Sequence, residues 1–175
     1  MGGRVALHFA AAHPSKVRRL ILESASPGLA TESERLGRQV NDEVLACEIE
    51  SNGVDEFVRR WEGLPLFESQ LQLPDPKRAE RHAQRLRNTE AGLANALRGL
   101  GTGALPSLWD SLPAIQTRTL IIVGELDSKF IAIGEQMATA LPQAQLVIVP
   151  GAGHTVHLER PGCWVEAVDA FISSA

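Results

Sequence analysis

The sequence predicts an α/β protein whose parallel sheet is interrupted by a long helical insertion. Three observations carry this. The runs "VRRLILES", "RTLIIVGE" and "AQLVIVPG" are short and aliphatic, as strands buried on both faces are. Segments of helical period separate and follow the last two, the order of βαβ units. From about Thr31 to Leu112 the chain offers only short, charged helical stretches. A sheet-based core is therefore expected over residues 1–30 and 113–175. The insertion, 31–112, is expected as a lid over the carboxyl ends of the strands, where ligands of such sheets bind.

The elements follow in chain order. Gly2 to Ala12 reads as a helix of small residues, and Met1-Gly2 fits the last two positions of a G-x-S-x-G strand-to-helix turn. On that reading the serine would stand immediately before Met1. Val17 to Ser24 is the first strand, expected to have an open edge, with Val5, Leu7 and Phe9 of the preceding helix exposed. In the insertion, "ESERLGRQVNDEVLACEIES" is a helix ending at Asn52-Gly53, and "VDEFVRRWEGLP" is a second. "DPKRAERHAQRLRN" and "TEAGLANALRGLG" form a helical pair, with Thr89 as an N-cap. Arg118 to Glu125 is a strand, Ile131 to Leu141 a helix stopped by Pro142, and Ala144 to Gly151 a strand. Glu159 to Ser173 closes the pattern, with Trp164, Val165, Val168, Phe171 and Ile172 at helical spacing.

Composition narrows the function. A net charge of −4 gives no basic face for nucleic acid. No apolar run reaches the roughly eighteen residues that span a bilayer, so no membrane partner is expected and the cytoplasm is the expected location. Cys47 and Cys163 lack metal-type spacing and read as reduced thiols.

Two residues stand where chemistry could occur. Asp127 follows the strand "LIIVG", and His154 follows "LVIVPGAG". Parallel neighbours present both loops at one edge of the sheet, so a carboxylate could orient an imidazole there. Each has a plainer reading, since Asp127 could simply cap a helix and His154 could be an ordinary loop residue. Their order and placement favour the pair. His154, His157 and Glu159 make a weak metal site, so neither metal nor cofactor is expected. Arg4, one turn into the first helix, could hold a carboxylate with two parallel hydrogen bonds.

The stretches "MGGRVAL", "ESASPGL", "WEGLPLF", "LRGLGTG", "GELDSKF" and "GAGHTVHLERP" together resemble the MenH family of menaquinone biosynthesis. Its members are 2-succinyl-6-hydroxy-2,4-cyclohexadiene-1-carboxylate synthases of α/β-hydrolase fold. The resemblance covers the later two-thirds of a family member. It implies pyruvate elimination by a Ser-His-Asp triad, of which Asp127 and His154 are the acid and the histidine. Met1 would supply an oxyanion N–H, although at a chain terminus it carries an amine instead. Arg4, Arg38 and Arg87 would bind a small substrate with several carboxylates, Arg35 and Arg85 being alternatives, and Trp61 would lie near it. Without the serine the chain alone is expected to be inactive, and its partner would be the missing N-terminal segment. A thioesterase or esterase of the same fold, a non-catalytic partner chain and a structural module are the other readings.

Overall fold

Small residues at Gly2–Ala12 make helix α1 in the computed structural model, which describes residues 1–174. Strand β1, Arg19–Glu23, follows. Three longer helices come next: α2, Glu32–Glu62; α3, Asp75–Arg85; and α4, Glu90–Leu100. The chain then alternates through β2, Arg118–Gly124, α5, Ser128–Ala140, and β3, Ala144–Val149. It ends in the short α6, Val156–Glu159, and α7, Pro161–Ser173.

The strands form one parallel sheet in the order β1-β2-β3, with Leu22 opposite Ile121 and Ile121 opposite Leu146. Central β2 is buried on both faces, which explains its unbroken aliphatic run. Ile121 and Val123 pack with Leu7 and Ala10 of α1, Leu20 and Leu22 of β1, and Met137 of α5. Leu120 and Ile122 face the other way, onto Val156 and Phe171. Helices therefore cover both faces, as βαβ connections require.

Two compact units result, one of Met1–Pro27 with the chain from Leu108 onward, the other Gly28–Ser107. The second starts and ends a few residues before the expected insertion. The reason lies in Leu108 and Leu112, which belong to the sheet's core rather than to the helices before them. Leu7 corrects another expectation: it is fully buried against the sheet, while Val5 and Phe9 are exposed.

Within the second unit, α2 is two helical segments joined at Gly53, whose φ of 86° no helix interior contains. The break foreseen at Asn52-Gly53 is there, but the chain re-enters a helix at once. Thr31 opens α2 with a capping box, exchanging hydrogen bonds with Glu34. Thr89 caps α4 by accepting from the Gly92 N–H. Arg98 of α4 reaches α2 and binds both Glu43 and Glu50. In the first unit, the last helix is shorter than expected because Arg160, before Pro161, leaves helical geometry (φ −138°, ψ 63°), which separates α6 from α7.

Candidate active site

Asp127 lies just past β2 and His154 just past β3, and parallel pairing brings both to the carboxyl edge. The two loops are sewn together by backbone. The Leu126 N–H donates to the Ala152 carbonyl, and the Glu125 N–H donates to that of Val149. Gly124 has no side chain because the Ala152 and Gly153 carbonyls occupy the place a Cβ would take. His154 Nδ1 consequently stands 2.6 Å from Asp127 Oδ2.

Asp127 serves two partners. Its Oδ1 accepts the Phe130 N–H and caps α5, which starts that helix at Ser128 rather than Ile131. Its Oδ2 faces the imidazole. One carboxylate therefore both caps the helix and pairs with the ring. The Asp127 side chain is 5% exposed and that of His154 22%, so the acid is enclosed while the ring reaches solvent. With Asp127 ionised, Nδ1 carries the proton and donates it. Nε2 is then left with a lone pair, the tautomer that a general base needs. The Phe130 ring meets the imidazole edge-on at 4.7 Å and limits its rotation.

The start of α1 lies at the same edge. A Cβ on Gly3 would come within 2.6 Å of the Ala25 Cβ, just beyond β1, so only glycine permits this approach. Met1 is the N-cap, its carbonyl accepting from Arg4 and Val5. Its amine is held below the ordinary value of 8.0, first by burial and then by the charge of Arg4. Arg4 itself is buried.

Arg38, Trp61 and Arg87 belong to the second unit. Arg38 donates through Nε to the buried Asp42 at 2.7 Å, which leaves its two terminal nitrogens for another acceptor. Arg87 is exposed. Of the alternatives, Arg35 is spent on the Leu29 and Ala30 carbonyls. Arg85 binds Glu62 and lies over the Phe67 ring. Both are committed internally. Trp61 packs between Phe57 and Phe67 and lines a cleft of about 300 Å³ with Leu45, Ile49 and Leu64.

The weighed metal trio does not assemble. His157 pairs with Glu23 at 2.9 Å, and Glu159 turns to backbone amides. No three His, Cys, Asp or Glu side chains among the described residues gather in a way that could hold a metal ion. Sequence reading missed the supporting roles of Phe130, Glu125 and Glu159. The acidic residue five places after His154 was the available signal for the last.

The chain is 45% identical over 174 residues to a Bacillus subtilis (strain 168) protein provisionally named 2-succinyl-6-hydroxy-2,4-cyclohexadiene-1-carboxylate synthase. That match covers 99% of the chain and 64% of the relative, so the chain spans less than two-thirds of its length. The solved structure of MenH from S. aureus superposes with a TM-score of 0.95 at 39% identity, over 97% of this chain and 64% of that one. A thermophilic esterase from Thermogutta terrifontis, in a malate-bound structure, matches at 27% identity and a TM-score of 0.80. This likeness covers 98% of the chain and 61% of the esterase. The family model described as alpha/beta hydrolase matches residues 1–168, and the chain belongs to the alpha/beta hydrolase family.

Proposed function

We propose that this chain carries the acid–base pair and the carboxylate-binding helices of a 2-succinyl-6-hydroxy-2,4-cyclohexadiene-1-carboxylate synthase, acting in the cytoplasm in menaquinone biosynthesis. One observation carries the chemistry: His154 Nδ1 held 2.6 Å from the enclosed Asp127 carboxylate. The likeness to the B. subtilis protein and to S. aureus MenH supports the choice of reaction. In this reading a serine directly before Met1 completes the triad. His154 Nε2 takes the serine proton, and the serine oxygen takes the proton beside the succinyl carbonyl of the substrate. The electrons of that C–H bond form a ring double bond as the C–O bond to the pyruvyl group breaks, Asp127 stabilises the imidazolium, and the imidazolium gives its proton to the departing enolpyruvate, which leaves as pyruvate. Arg4, Arg38 and Arg87 bind the substrate's carboxylates, each a charge-assisted contact, and Trp61 lies against it.

The test is a pyruvate assay coupled to a dehydrogenase. The 175-residue chain alone is expected to show no turnover above its His154→Ala variant. A protein extended to its relatives' length, with serine before Met1, is expected to release pyruvate and to lose that activity in His154→Ala. Ester hydrolysis without pyruvate release from the extended protein would favour the esterase reading, which the T. terrifontis likeness keeps alive.

A further inference from the structure

We infer that Glu159 is the positioning residue of the site: its carboxylate grips the backbone on both sides of His154 and thereby aims the ring at Asp127. Glu159 Oε2 accepts the Gly153 N–H at 2.6 Å, and Oε1 accepts the Thr155 N–H at 3.1 Å. One side chain thus takes the two amides that flank His154. It is only 8% exposed, and a carboxylate survives such burial only when its oxygens meet donors. Both do, the bond to Gly153 being the shorter of the two, and a charged acceptor strengthens each.

The rest of the loop shows why this grip is needed. Between β3 and α6 the chain passes through Gly151, with φ of 63°, then Ala152 and Gly153, a stretch with two glycines and little stiffness of its own. Two carboxylates clasp it. Glu125 accepts the Gly151 N–H at 2.8 Å, and Glu159 accepts the next two alternate N–H groups. Glu125 is exposed, so its hold is the weaker. The His154 ring meets Phe130 and Asp127 at its tip. The direction of its Cα–Cβ bond follows the backbone on either side of it, which Glu159 holds through the Gly153 and Thr155 amides. A plainer role exists, because Thr155 precedes α6 and Glu159 ends it, so the contact also closes that short helix. The two roles differ in what they move. Closing α6 affects stability, whereas aiming the ring affects His154 alone.

This inference rests on reading Asp127 and His154 as the working pair, and its test separates the two. The probe is diethyl pyrocarbonate, which acylates neutral imidazole nitrogens, applied to the chain at micromolar dilution. Rates at each histidine are followed by peptide mass spectrometry across pH. His8, His13, His82 and His157 serve as internal controls. In Glu159→Gln, the amide oxygen can accept one N–H, but its NH₂ faces the other. His154 is expected to react about tenfold faster as its ring leaves Asp127, the scale of losing one hydrogen bond to a charged group, with the four controls unchanged. Glu159→Ala should show the same at larger amplitude. Unchanged His154 reactivity in both variants overturns the inference. So does a parallel rise at all five histidines, which would assign Glu159 to the fold at large. Asp127→Asn is the reference: if it too leaves His154 unaltered, the pair reading fails, not the grip alone. In the extended protein, Glu159→Gln is expected to lower kcat by about tenfold with little change in KM, since no contact to substrate is lost.

Discussion

Asp127 shows how one side chain can satisfy two readings of a sequence, and how a substitution can part them. Asparagine keeps an oxygen for the Phe130 N–H, so Asp127→Asn should hold α5 and leave Tm within a degree or two. It replaces the acceptor that fixes the His154 tautomer, so turnover of the extended protein should fall by roughly 10⁴ with substrate binding retained. Asp127→Ala removes the cap as well and should cost about 0.5–2 kcal/mol of stability. Thermal melts beside the pyruvate assay check both, and equal losses of activity and stability in Asp127→Asn would refute the division. Ser24 makes a second case. It follows β1 with φ of 42°, and its buried Oγ has no hydrogen-bond partner among the described residues. A non-glycine residue is strained there, so Ser24→Gly is expected to raise stability by about 0.5–1 kcal/mol. A lower Tm would show that the hydroxyl is worth more than the strain. The sequence showed Asp127 and His154 because each follows its own strand. It could not show Glu159 or Ser24, because a grip on backbone amides and a positive φ leave no periodic trace.

At the scale of elements, the helices of the second unit are held across their faces by charge. Arg98 binds Glu43 and Glu50, and Cys47 donates to Glu43. Hydrogen bonds from Arg98 and then Cys47 pull the Glu43 carboxyl from 4.5 down to about 2, and Arg98 lowers Glu50. Both values lie below those of the unfolded chain, so the stabilisation is complete above the ordinary glutamate value of 4.5. It is lost as pH falls from there through about 2, when the carboxylates protonate. Arg98→Ala should therefore lower Tm by a few degrees at pH 7, and the difference should vanish near pH 2. Because the carboxylates face solvent, high salt should shrink it too. A difference indifferent to pH and salt in circular dichroism melts would mean that Arg98 acts through its packing. Periodicity made α2, α3 and α4 legible, as did Thr89 at a helix start. It did not reveal that Gly53 bends a helix rather than ending a unit, since the same glycine serves either outcome. Nor did it separate Leu108 and Leu112 from the insertion, because their partners lie on strands distant in sequence.

For the whole molecule, the decisive feature is the outer edge of β1. The Ser24 N–H donates to the Ile122 carbonyl. Alternation along a parallel strand then turns Leu20 and Leu22 toward β2, and Arg19, Ile21 and Glu23 outward. In the described sheet those outward groups have no neighbouring strand. The charges that would guard such an edge are drawn elsewhere: Arg19 binds the Ser174 carbonyl, and Glu23 holds His157. Beside it, α1 exposes Val5 and Phe9, the latter at 50%, and Met1 before it is exposed as well. Covering each such side chain is worth about 1.5–3 kcal/mol, a large share of a typical domain stability of roughly 5–15 kcal/mol. The chain made alone is expected to self-associate as its concentration rises, through the edge and the α1 face together. Light scattering on a dilution series reads this directly. Ile21→Pro should reduce it, because proline removes an outward N–H and leaves the bonds to β2 in place. Co-expression with the part of the B. subtilis relative that precedes its match to this chain should do more, yielding a soluble complex that releases pyruvate. A monodisperse monomer at about 100 μM, within the range where exposed strand edges cause aggregation, would show that α1 and β1 are sufficient as they stand.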